Sequence, residues 1–174
     1  CRSLDELFEE PIIPISETNR SCPYRCTFCA WGIGTQKLAR FSEQRVLSEI
    51  DYIAEHHGTS TYLYVADANY GILERDAQFA EHMYKRHVDT GFPGHVGVQW
   101  NKTRPDRVLK TSEAFLFISA VGASIQSLNP YVLESLNRRT LPLPHVAPIH
   151  APLSQTVLSP PLFSHLILRS SHHT

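Results

Sequence analysis

"SCPYRCTFCAWG", residues 21–32, places three of the chain's four cysteines, Cys22, Cys26 and Cys29, within eight positions, while Cys1 stands apart. Three clustered thiols and one remote one do not make the even, dispersed framework of a secreted disulfide scaffold. In a reducing compartment such a cluster points to metal or redox chemistry. The run just before it, "PIIPISET" (residues 11–18), is short and apolar, which predicts a buried strand leading straight into the cysteine loop.

The fold class is decided by the elements downstream of that strand. Ser42 is an N-cap candidate for a helix that carries Val46, Leu47, Ile50, Ile53 and Ala54 on one face and stops at Gly58. "TYLYVAD" (61–67), rich in aromatic and branched residues, reads as a second strand. A second helix is expected from about Arg75 to His87, with Ala80, Met83, Tyr84 and His87 on one stripe and Gly91 beyond its end. "HVGVQW" (95–100) reads as a third strand, and residues 104–121 hold a helix whose "FLFISAV" segment fits helix or strand equally. "GASIQS" (122–127) reads as a fourth strand, and Asn129 caps a last helix with Pro130 at its first position. Strand and helix in alternation mean an α/β fold of parallel strands with right-handed crossovers, either a doubly wound sheet or part of a barrel. In both, ligands sit at the carboxyl ends of the strands, the edge at which the cysteine loop emerges.

Composition narrows the partners. Sixteen Lys and Arg against 17 Asp and Glu leave no phosphate-tracking surface, so nucleic acid is not an expected partner. No apolar run approaches the roughly 20 residues of a membrane span and no leader opens the chain, so a cytoplasmic protein without a membrane partner is expected. A first residue of Cys rather than Met is what a fragment or processed product would show. Residues 1–140 carry the strand–helix pattern. Residues 141–174 hold six prolines, five histidines, no acid and no glycine, and are expected to be an irregular or disordered tail.

The spacing C-x3-C-x2-C supports three readings. A cubic four-iron cluster normally takes four thiolates, so three leave one iron open to a chelating ligand, and Phe28 offers an apolar wall beside it. A zinc site completed by a nearby His or Asp is the alternative, although zinc cysteines usually come in two pairs and no second pair exists here. Inert, buried cysteines are the third.

"ETNRSCPYRCTFCAWG" resembles the signature of the radical S-adenosylmethionine superfamily, whose loop holds a 4Fe-4S cluster with its open iron chelated by S-adenosylmethionine. "VADANYGILERD" (65–76) and "SIQSLNPYVLESLNR" (124–138) are similar to the subgroup in which this domain follows a cobalamin-binding domain. The likeness covers about residues 5–140. It implies a partial (β/α) barrel of about four strand–helix units. Cys22, Cys26 and Cys29 would be the cluster ligands and Phe28 would lie beside the adenine. Asp67 and Asn69 are candidates for the cofactor's amino group, with turn capping the alternative for Asp67. Ser124, Gln126 and Ser127 resemble the segment that reaches the ribose. Gln99, Trp100 and Asn101 close the third strand on the substrate side, with core packing the alternative for Trp100.

The implied reaction is reductive cleavage of S-adenosylmethionine to a 5′-deoxyadenosyl radical, fed by an electron donor such as flavodoxin or ferredoxin and acting on an unspecified small-molecule substrate. Methyl transfer through cobalamin is implied for the subgroup. Ser21 stands where the subgroup commonly has glycine and Ala30 where it has an acid, so the loop's turn and surroundings differ from the pattern. Two rivals remain: a zinc-stabilised, non-catalytic binding module, and a truncated, inactive radical fragment. The expectation is a chain that assembles the cluster and turns over weakly or not at all.

Overall fold

The computed structural model describes residues 8, 10, 12–32, 37–115, 122–123, 127–139 and 163–164. The first strand, β1, is Ile15–Ser16, shorter than its apolar run because the prolines beside it have no N–H to give to a ladder. Pro14 still accepts, taking the Tyr64 N–H at 3.0 Å. A small antiparallel pair, β2 (Asn19–Arg20) and β3 (Ala39–Arg40), brackets the cysteine loop, and no sequence pattern announces it. A single 3₁₀ turn, Ala30–Gly32, comes after the last cysteine.

Helix α1 runs Glu43–His56, with the Ser42 hydroxyl accepting the Arg45 N–H as its N-cap. Val46, Ile50, Ile53 and Ala54 are its buried face. Strand β4 is Tyr62–Tyr70, which starts one residue inside "TYLYVAD" and runs three residues past its end. Its in–out alternation breaks after Ala66, and its register with the next strand shifts between Val65 and Tyr70, so four consecutive residues, Asp67 to Tyr70, are all buried. That irregularity carries Asn69 to the cysteines. Helix α2 (Asp76–Thr90) ends on Gly91 in the left-handed region at φ 82°. Ala77, Phe79, Ala80 and Met83 form its buried stripe, whereas Tyr84 lies exposed off it.

β5 is His95–Trp100 and α3 is Pro105–Ala114. β6 (Gly122–Ala123) pairs in parallel with β7 (Phe163–Ser164), and α4 is Pro130–Ser135 with Asn129 accepting the Tyr131 N–H. Of residues 141–174 only Phe163 and Ser164 are described, and of the "FLFISAV" segment only Phe115.

The strand order β1–β4–β5 is parallel throughout and keeps the order of the chain. α1 packs on α2 and α2 on α3. Three parallel strands in chain order, with each helix beside the next, form a run wound in a single direction, a geometry common to part of a barrel and to one half of a doubly wound sheet. Among the described residues the sheet does not close on itself. Its core joins the helix faces to Leu63, Val65, Val96 and Val98, and ends in an aromatic group of Tyr70, Trp100 and Phe115 with ring centroids 6.0–6.1 Å apart. Trp100 is thus a core residue, buried within that aromatic group. No helix among the described residues is long and apolar enough to cross a membrane.

Candidate cluster site

The site begins with Asp67, which burial takes wholly out of water. Its carboxylate accepts the Thr18 N–H at 2.8 Å, the Asn19 N–H at 3.2 Å, the Asn19 Nδ2–H at 2.7 Å and the Thr18 hydroxyl. Burial pushes its pKa up, and the Thr18 and Asn19 bonds oppose that shift by favouring the charged form. Arg75 fastens the same segment from the other side, donating to Thr18 O at 3.0 Å and Phe41 O at 2.6 Å. The cysteine loop therefore leaves β1 from a fixed origin. Ser21, the position where the resemblance leads one to expect glycine, has φ 80°, the backbone region that glycine enters without cost.

Cys22 and Cys26 are buried and Cys29 is half-buried, all three as free thiols. Tyr24, between the first two, bonds through its hydroxyl to Thr103 and accepts the Asn101 Nδ2–H at 3.0 Å. Asn101, itself buried, uses its carbonyl oxygen to cap the next turn at Thr103 N and Arg104 N, so it organises the strand end. The turn after α4 grips the loop too: Thr27 N–H donates to Leu136 O at 3.0 Å, and Asn137 Nδ2 to Arg25 O at 3.0 Å. That contact spans 112 residues of chain and ties the "SLNR" end of the last motif to the cysteine loop.

Three polar side chains face the thiols. Asn69 Nδ2 donates to Cys22 Sγ at 3.1 Å, Lys102 Nζ lies 3.3 Å from both Asn69 Oδ1 and Ala68 O, and Arg138 Nη1 lies 3.5 Å from Cys26 Sγ. Burial lowers the Lys102 pKa, the Arg138 charge lowers it further, and the three cysteines raise it. The Arg138 guanidinium also sits 5.9 Å from the centre of the Phe28 ring. Sequence reasoning assigned no role to Lys102 or Arg138. Their local marks, a lysine two residues past a strand end and an arginine closing the "SLNR" motif, do not tell them from solvated surface.

Among the candidates, Asp67 and Asn69 use their polar atoms inside the protein, on the loop origin and on Cys22. Phe28 is 44% exposed beside the thiols and free to face a ligand. Ser127 is half-buried and accepts the Asn129 N–H, while Ser124 and Gln126 lie outside the described residues. A cavity of about 120 Å³ adjoins the loop origin, lined by Asn19, Ser21, Trp31, Ala66 and Ala68 among others. The larger groove, about 820 Å³ along β1 and α1, contains none of the cysteines.

The donor set fits an iron–sulfur cubane. Among the described residues no three His, Cys, Asp or Glu side chains gather round one point as a single ion requires. A cubane instead binds each thiolate at a separate iron, and hydrogen bonds and positive charge around the sulfurs suit its net negative charge.

No protein-family model matches the chain. It is 36% identical over 147 residues to 2-(S-pantetheinyl)-carbapenam-3-carboxylate methyltransferase of Streptantibioticus cattleyicolor, covering 82% of this chain and 21% of that protein. It is 35% identical over 131 residues to the cobalamin-dependent radical SAM methyltransferase TokK of Streptomyces tokunonensis, covering 73% and 19%. The chain thus spans about a fifth of the length of these relatives. In fold it matches the radical S-adenosylmethionine methyltransferase TsrM of Kitasatospora setae, solved with cobalamin and a [4Fe-4S] cluster. That match has TM-score 0.69 and 9% identity, and covers 92% of this chain and 32% of the other. It also matches the cobalamin-dependent S-adenosylmethionine radical enzyme OxsB, with TM-score 0.60 and 18% identity over 87% and 23%. The chain belongs to the radical S-adenosylmethionine superfamily, and the relatives it matches are methyltransferases, TokK among them cobalamin-dependent.

Proposed function

We propose that residues 1–140 are the radical S-adenosylmethionine core of a cobalamin-dependent methyltransferase. Cys22, Cys26 and Cys29 hold a 4Fe-4S cluster, and S-adenosylmethionine takes the open iron with Phe28 beside its adenine. Ser124, Gln126 and Ser127 serve the ribose. Asp67 and Asn69 serve the cofactor through the loop and the Cys22 sulfur. The observation that carries this reading is the three-cysteine loop at the carboxyl end of a parallel sheet, in a chain 36% identical to a methyltransferase.

When bound, the cluster supplies an electron to the sulfonium of S-adenosylmethionine. The chain's own residues do the rest. Asp67 and Arg75 fix where the loop starts, Tyr24 and Leu136 fix its course, and burial keeps water from two of the three thiols. Ala66 and Ala68 keep the loop-side cavity clear by offering only methyl groups to it. A small molecule is the substrate, a flavodoxin or ferredoxin the electron donor, and a corrinoid the methyl carrier in the whole protein.

The test is anaerobic reconstitution with iron and sulfide, then electron paramagnetic resonance of the reduced sample with and without S-adenosylmethionine. The reading predicts a cluster signal whose g-values change when the cofactor is added. A signal indifferent to saturating S-adenosylmethionine contradicts it, as does stoichiometric zinc without labile sulfide.

A further inference from the structure

Lys102 is a half-buried cation, and among the described residues no carboxylate lies within ion-pair distance of it. Such a charge is costly unless negative charge is close by. Its two acceptors are neutral, Ala68 O and Asn69 Oδ1, both at 3.3 Å. An ammonium has donors only, so it dictates which end of the Asn69 amide faces it. The oxygen turns to Lys102, and the NH₂ must then point the other way, where it meets Cys22 Sγ at 3.1 Å. Asn69 is 2% exposed, so water does not compete for either end.

We infer that Lys102, acting through the Asn69 amide, is a positioning residue that directs a hydrogen bond onto the Cys22 sulfur and raises the reduction potential of the cluster held there. The inference rests on the cluster reading proposed for this loop. Its physical basis is that a hydrogen bond to a ligating sulfur, with a positive charge behind it, stabilises the reduced, more negative state over the oxidised one. The electron itself comes from a low-potential donor, dithionite in the laboratory.

The experiment compares the parent chain with Lys102→Met, Asn69→Leu, the double variant and Asn69→Asp, each reconstituted anaerobically. Iron and acid-labile sulfide are counted first, then the midpoint potential is read by redox titration of the visible and paramagnetic resonance spectra. Lys102→Met is expected to lower the potential so that the reduced-to-oxidised ratio at fixed potential falls about tenfold, a shift of roughly 59 mV for a one-electron couple. The double variant should shift by less than the sum of the two single changes, because lysine and amide act as one unit. Asn69→Asp keeps the shape and gains an ion pair with Lys102, yet sets an acceptor against the sulfur. It too should move the potential down, and it serves where Lys102→Met does not hold the cluster. Sulfide retained with an unchanged potential in Lys102→Met and Asn69→Asp overturns this inference alone. A parent chain that binds no sulfide overturns the cluster reading, and the inference with it.

Discussion

Replacing Asp67 with alanine strips four donors of their acceptor at once: the Thr18 and Asn19 backbone N–H groups, the Asn19 amide and the Thr18 hydroxyl. All sit where Asp67 is 0% exposed. An abandoned buried donor costs about 1–3 kcal/mol, which at the low end sums to about 4 kcal/mol for the four. Burial already disfavours the ionised carboxyl, and its removal returns part of that, leaving a net loss of about 3 kcal/mol. Asp67→Asn keeps one carbonyl oxygen for two of the donors and should lose about half as much, roughly 1.5 kcal/mol. Urea unfolding of the metal-free chain, monitored by circular dichroism, reads both. With a slope of about 2 kcal/mol per molar, the alanine variant's midpoint should fall by about 1.5 M. The same variant should expose Cys22 to a thiol reagent faster than the parent, because the loop loses its origin. If both variants unfold within about 0.5 kcal/mol of the parent, the ordinary range for an uninvolved surface site, Asp67 is not the clamp that seats the loop.

Three single residues give further outcomes. Asp76 is buried, and burial pushes its pKa from 3.8 up to about 6, against the opposing bonds from Leu73 and Gly71 N–H. The folded state therefore holds a proton that the unfolded state has released, so this group's contribution is full below pH 4 and is lost as pH rises through about 6, worth up to about 3 kcal/mol. Asp76→Asn should flatten that part of the stability–pH curve, and an unchanged slope would refute the assignment. Ser42→Ala removes the N-cap acceptor of α1 and should cost about 1 kcal/mol in urea unfolding, whereas Ser42→Asn should cost little. Ser21→Gly should stabilise the chain by about 0.5 kcal/mol, since relief of a left-handed backbone, worth about 1–2 kcal/mol, outweighs glycine's greater freedom in the unfolded chain. A loss of stability in that variant would show that the serine side chain matters more than its φ.

Local signals located the elements. Ser42, Gly91 and Asn129 mark helix ends because capping is chemistry between neighbours, and His95–Trp100 stands as a strand with the limits its pattern predicts. The three cysteines mark the candidate site in the sequence because their spacing is itself the signal. Less visible was whatever depends on distant chain. The β2–β3 pair joins residues twenty apart without a turn signature, and the bulge that buries Asp67 to Tyr70 together has no local mark within "VADANY". Asp67 and Asn69 stand out in the sequence as cofactor candidates, but their partners, Thr18 and Cys22, lie 49 and 47 residues away, so what the side chains hold is decided by the fold. Lys102 and Arg138 escape notice for the same reason: a lysine or arginine in a balanced composition looks like solvated surface until strand and turn bring it against sulfur.

The most direct test counts iron and acid-labile sulfide in the anaerobically reconstituted chain and in Cys22→Ala, Cys26→Ala and Cys29→Ala. The account predicts about four of each per parent chain and a brown spectrum, both lost in every single variant, while Cys1→Ala behaves as the parent does. A parent chain that retains no sulfide, or a cluster that survives the loss of any one of the three cysteines, would contradict it.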